Sequence, residues 1–260
     1  MNKELKDKFL RLWPRYFPDA ELPISFFYTD DEQKTRRGSR KPEHRCVIAN
    51  LTKVRQGKPL RLETDSVECS GGKRYLGFSQ KLRPNFEYFL SYGIKGELEG
   101  ERYKKSPSLV QKMMKKGRMF RAPKKYIVFK RFDLLKRSEN PDAVIFLATP
   151  DVLAGLFTLA SYDETESGVI TPFGAGCGSI VRYPYLEKKS KKPQCILGMF
   201  DPSARSYVPA HVLSFAVPMK KFKRMVSNMD ESFLITPTWD KIRQRIRSCN
   251  IINNPQRKFE

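Results

Sequence analysis

The chain has 260 residues and a mass of 30.3 kDa, enough to bury a sizeable core as one large domain or two small ones. A hydrophobic fraction of 40% and an aromatic fraction of 12% argue against a disordered chain, and five cysteines, odd and few for this length, argue against a secreted disulfide framework. The formal net charge of +22 is the largest departure from average composition. Such a field either attracts polyanions (nucleic acid, acidic membrane surfaces, phosphorylated metabolites) or simply keeps the surface solvated.

Residues 1–13 alternate charged and apolar side chains without an apolar core, so no signal peptide is expected. The longest apolar stretches, 143–148 and 152–160, fall short of the roughly 20 residues of a membrane-spanning helix. A cytoplasmic location is expected.

Leu5, Phe9, Leu12, Trp13 and Tyr16 recur at three- and four-residue spacings, which predicts an amphipathic helix over 3–16 that ends or kinks at Pro14. A strand is predicted over 22–29, followed by the acidic turn Asp30-Asp31-Glu32. The basic loop 34–45 is expected to be mobile, and a helix is predicted over 45–53. Cys69-Ser70-Gly71-Gly72 reads as a loop leading into an aromatic run at 75–78. Residues 84–100 read as a helix and then a glycine-punctuated connection, and 108–116 as a short helix. Strands are predicted over 126–132 and 143–148, joined through the turn signal Asn140-Pro141-Asp142. Thr149-Pro150-Asp151 opens a helix over 152–161, a strand–helix step that suggests a βα unit. The glycine-rich segment 168–179 contains a short strand at 169–171 and leads into a short helix cut by Pro184. Strands at 195–200 and 213–217, helices at 219–228 and 239–247, and a frayed polar tail over 250–260 complete the chain. The expected fold is one mixed-sheet domain over 1–260, of α/β or α+β class, with flanking helices.

No familiar catalytic signature is present. The sequence lacks a Walker A loop, a zinc-protease helix, a nucleophile elbow and a Cys-x-x-Cys pair. Residues 174–179 approach the dinucleotide fingerprint, but its last glycine falls at Ser179 and no acidic ribose ligand follows at the required distance.

The cysteines carry what chemistry there is. Cys69 and Cys177 stand in glycine-rich contexts with Gly71, Gly72, Gly174, Gly176 and Gly178, and glycines beside a thiol free the backbone to wrap a metal, cluster or anion. A helix starting after Cys177 would lower its pKa and favour the thiolate. Two readings of Cys46, Cys69, Cys177 and Cys195 compete. In one they are small buried apolar residues; in the other they converge as ligands of an iron–sulfur cluster or a soft metal. A third reading makes Cys177 or Cys69 a catalytic nucleophile, for which His44 and His211 are the available histidine bases. His44, close to Cys46, is a further metal ligand or a solvated side chain. Asp201 and Arg205 follow a strand, where they either grip a polar small ligand or pair to fix a turn.

The basic runs at 34–45, 112–125, 188–192 and 220–224, accompanied by Phe120, Tyr126 and Phe222, offer the alternative of a polyanion-binding module for nucleic acid. That requires the runs to share a face with stacking rings.

The segments Cys69-Ser70-Gly71-Gly72 with Tyr75-Leu76-Gly77-Phe78, Phe173-Gly174-Ala175-Gly176-Cys177-Gly178-Ser179, and Cys195-Ile196-Leu197-Gly198 with Asp201 and Arg205 resemble the domain-of-unknown-function family 169. The likeness runs from the Phe17-Pro18-Asp19 region to the strand ending near Pro218. The family has no assigned activity. The resemblance implies that the glycine–cysteine segments are elements of a ligand or thiol site.

Overall fold

The computed structural model describes residues 1–32 and 41–253, without the side chains of 248–253. Of the basic loop expected over 34–45 only 41–45 are described, and the tail from 254 onward lies outside the described residues.

Seven strands form one sheet in the order β2 (Leu60–Leu62), β3 (Tyr126–Arg131), β1 (Ile24–Thr29), β4 (Ala143–Ala148), β7 (Leu213–Pro218), β6 (Cys195–Gly198), β5 (Val169–Ile170). Every pairing is antiparallel except β5 with β6. The strand–helix step after β4 therefore does not begin a parallel repeat. β4 lies between β1 and β7, both antiparallel to it, and the fold is α+β.

Alternation along the strands sends side chains to two cores. One face is covered by α1 (Lys3–Tyr16), α6 (Pro150–Ser161), α9 (Met219–Asn228) and α10 (Pro237–Asn253). Its centre is aromatic: Phe9 packs on Phe132 at 5.0 Å and on Phe222 at 5.1 Å, and Trp13 stacks on Phe17 at 4.5 Å. Gly155 lets α6 approach this cluster, since a Cβ there would lie 2.4 Å from the Trp239 ring. The opposite face is covered by α2 (Val47–Arg55), α3 (Ser70–Tyr75), a π-helical turn (Gly178–Arg182), α7 (Tyr183–Glu187) and α8 (Pro202–Arg205). Ile48, Leu51, Val67, Ile180, Val181 and Met199 are buried there against Phe26, Phe129 and Ile196.

Two stretches depart from the sequence reading. Residues 69–72, read as a loop, are the cap and first turn of α3. Residues 84–100 contain only the single turn α4 (Phe86–Phe89), because Asn85 opens it in a left-handed conformation and Gly93, at φ +81°, ends it in a tight loop. The helix predicted over 108–116 is α5 (Pro107–Lys116).

Candidate functional site

Three of the cysteines are delivered to the α2–α3 face by the starts of separate elements. Cys46 is the N-cap of α2, and its side chain makes no capping hydrogen bond. The loop before it is fixed by the buried Asn50 amide. Its Nδ2 donates to the carbonyls of His44 (2.7 Å) and Cys46 (2.9 Å), and its Oδ1 accepts from the N–H groups of Glu43 (2.8 Å) and His44 (3.1 Å). Cys69 is the N-cap of α3, its Sγ accepting from the Gly72 N–H at 3.4 Å. Two glycines weaken helix propensity here, but Gly72 fits between Val47 and Val67, where a Cβ would meet methyl carbons of both at 3.1 Å. Close packing of α3 against α2 thus overrides propensity.

Cys177 stands before the π-helical turn. It retains some surface as a residue, while its thiol is packed around by protein. Burial pushes this thiol well above its ordinary range, and Cys69, Cys46 and Asp201 add to the rise as negative or potentially negative neighbours. The thiolate expected from a helix N-terminus is therefore not favoured in the free protein. That is the opposite of what an activated nucleophile needs. Burial also raises the Tyr75 hydroxyl to about 12, with Cys177 beside it.

The glycines act mainly as spacers. A Cβ on Gly176 would lie 2.9 Å from the Ala204 Cβ and 3.1 Å from the Met199 sulfur, and one on Gly178 would lie 3.1 Å from the Tyr75 ring. On Gly174 it would approach the Tyr183 hydroxyl at 3.1 Å. Gly71 alone has ordinary room, with the Cys69 Sγ at 3.7 Å.

Asp201 and Arg205 do not grip a common point. Asp201 Oδ2 accepts the Gly176 N–H at 3.0 Å, and its Oδ1 caps α8 through Ser203 N–H, also at 3.0 Å. The Arg205 guanidinium donates to the carbonyls of Pro209, Ala210 and Val212, tying down the loop before β7. Asp201 thus holds the Cys177 loop, and Arg205 turns inward to its own loop.

Cys195 lies elsewhere. In β6 it points into the aromatic core, 3.9 Å from the Met225 sulfur, with Lys221 and Glu164 nearby. The sheet separates it from the other three, so it cannot join them around one group. Burial raises its thiol too. His44 and His211 are exposed. Among the described residues, no three His, Cys, Asp or Glu side chains are arranged to hold a single metal ion.

Sequence reading missed Asn50 and Ser179. Ser179 Oγ donates to the Gly176 carbonyl at 2.7 Å, accepts from the Met199 N–H at 3.3 Å and lies 3.5 Å from Ser214 Oγ. It packs so tightly on β6 that a Cβ on Gly198 would fall 2.2 Å from its own Cβ. The Gly178-Ser179 and Leu197-Gly198 pairs are the only signal of it in the sequence.

The rings expected beside the basic runs are not free for bases. Tyr126 and Phe222 are in the cores, and Phe120 stacks on Tyr185 at 4.5 Å. Lys188 pairs with Asp142, Arg224 with Asp163, and the fully buried Lys221 with Glu164.

These features define a helix–sheet–helix α+β protein with three thiols gathered on one face of its sheet. The family model for domain-of-unknown-function family 169, described as uncharacterised ArCR, matches residues 20–228, and the chain belongs to that family. No curated protein and no solved structure matches the chain. Among the described residues no helix is long and apolar enough to cross a membrane.

Proposed function

We propose that Cys46, Cys69 and Cys177 ligate an iron–sulfur cluster, leaving one iron position for a small ligand. The observation that supports this most is the placement of Cys177, whose electrostatic neighbours are Cys69, Cys46 and Asp201, contributed by segments far apart in sequence. Thiolates select iron–sulfur clusters and soft metals. Ligation would deprotonate the thiols and release protons, offsetting the burial that holds Cys177 protonated in the free protein. Ile48, Met199 and Ala204 around Gly176 supply an apolar wall that would limit water and set the potential. The work of such a site is electron transfer or ligand activation. Four described cysteines are unpaired, which fits the reducing cytoplasm we assign to the protein.

Iron and acid-labile sulfide, measured on the whole protein purified without oxygen, test this reading. Near-stoichiometric amounts of both support it. Colourless protein with neither overturns it.

A further inference from the structure

The segment after α3 and the segment before β3 are locked together. The Ala122 N–H donates to the Gly77 carbonyl at 2.9 Å, and Gln80 Nε2 donates to the Phe120 carbonyl at 2.9 Å. Gly77 makes this possible: its φ is +80°, and a Cβ there would fall 2.6 Å from the Ala122 nitrogen. Between the two segments lies an open cleft of about 610 Å³ whose walls carry Lys81, Arg121, Lys124, Lys125 and the half-buried ring of Phe78.

Two of the four cations lining the cleft are matched by acids and two are not. Lys124 pairs with Asp30, and Lys125 lies 4.0 Å from Glu63. Lys81 and Arg121 are exposed and have no ion pair among the described residues. The acids lining the cleft are Glu63 and Asp65, with Asp30 on Lys124 and Glu32 acting on Lys125, and Arg118, Lys116 and Lys115 extend the exposed cationic run along the same stretch of chain. The result is a groove with two unpaired cations, Lys81 and Arg121, and in its wall the Phe78 ring, which packs partly against the core and is partly exposed. Single-stranded nucleic acid presents the matching pattern, phosphates at regular intervals and bases free to stack, whereas a duplex hides its base faces.

We infer that this cleft binds single-stranded nucleic acid, with Lys81 and Arg121 facing phosphates and Phe78 stacking on a base. The cleft shares no residue with the thiol site.

The test is fluorescence anisotropy of the full chain with labelled oligo-dT and oligo-U of about 15 nucleotides, the span of a long single-strand groove, beside a duplex of equal length. Lys81→Glu/Arg121→Glu is compared with Lys3→Glu/Lys241→Glu, an equal charge reversal at exposed positions on α1 and α10, which cover the other face of the sheet. Phe78→Ala removes the ring alone. The cleft pair should weaken single-strand binding at least about tenfold and flatten the salt slope by about 1.4, two phosphates at roughly 0.7 each. Phe78→Ala should weaken single-strand binding by roughly tenfold and leave duplex binding unchanged, and the control pair should change affinity by less than about threefold. A control pair as damaging as the cleft pair would reduce the effect to net charge and overturn the inference. Preference for duplex with a silent Phe78→Ala, or no binding at low salt, would overturn it equally.

Discussion

The Asp201 carboxylate accepts the Gly176 N–H at 3.0 Å, joining the loop that carries Cys177 to the start of α8. One side chain thereby couples the 174–178 segment to the end of β6, two parts of the chain that share no regular hydrogen-bond ladder. Asp201→Ala removes this acceptor and a helix cap together. The expected loss is about 1–2 kcal/mol in urea unfolding. Alkylation of Cys177 by iodoacetamide in the metal-free protein should also quicken, as mass spectrometry of the modified peptide would show.

Asn50 uses all four of its hydrogen-bonding positions to shape residues 43–46. Asn50→Ala leaves two N–H groups and the His44 carbonyl in need of partners, while the Cys46 carbonyl keeps the backbone N–H of residue 50. Because water reaches part of this loop, the expected cost is about 2–3 kcal/mol rather than the sum of four bonds. A variant as stable as wild type in urea would show that the loop does not need its amide.

Gly198 and Ser179 occupy positions that exclude one another's growth. Gly198→Ala places a Cβ 2.2 Å from that of Ser179, and the strain should cost about 3 kcal/mol. Adding Ser179→Gly should recover more than half of that loss. The double-mutant cycle should therefore be strongly non-additive; additive losses would mean the clash is relieved elsewhere.

Asp142 lies buried beneath Lys188. Burial raises its pKa above the ordinary value of 3.8, and the Lys188 ion pair only partly opposes this. A raised folded-state pKa means the folded protein holds the proton more tightly than the unfolded chain. The contribution is thus complete below the ordinary value and is lost as pH rises through the raised one. Asp142→Asn, which carries no charge to desolvate, should gain stability relative to wild type between about pH 4 and pH 7. Urea midpoints measured across that range check the sign; a relative loss would show that the Lys188 pair outweighs burial.

Much of the fold was readable because long amphipathic elements announce themselves. α1, β4 and α9 follow the predicted bounds closely, since Phe9, Leu12 and Trp13, the unbroken run 143–148, and Phe222, Met225 and Val226 repeat at the periods of their elements. β2 is three residues, Leu-Arg-Leu, too short to show a period, and exists through its pairing with β3. α3 is masked in the sequence by Gly71 and Gly72, whose poor propensity is outweighed by the packing of Gly72 against Val47 and Val67. The site was legible only as a set of residue types. Cys46, Cys69 and Cys177 lack a ligand spacing because the packing of α2, α3 and the 174–178 segment, not local sequence, brings them together. Cys195 was grouped with them for its type, yet the pleat of β6 directs it to the other core.

The most direct test of the account is a comparison of single variants purified without oxygen. Iron and acid-labile sulfide would be measured in wild type, Cys46→Ser, Cys69→Ser, Cys177→Ser and Cys195→Ser, with circular dichroism to confirm folding. With a cluster on Cys46, Cys69 and Cys177, the first three variants lose most of their iron and sulfide, and Cys195→Ser, altered on the far side of the sheet, keeps the wild-type content. Loss of iron in Cys195→Ser with retention in Cys177→Ser would contradict it.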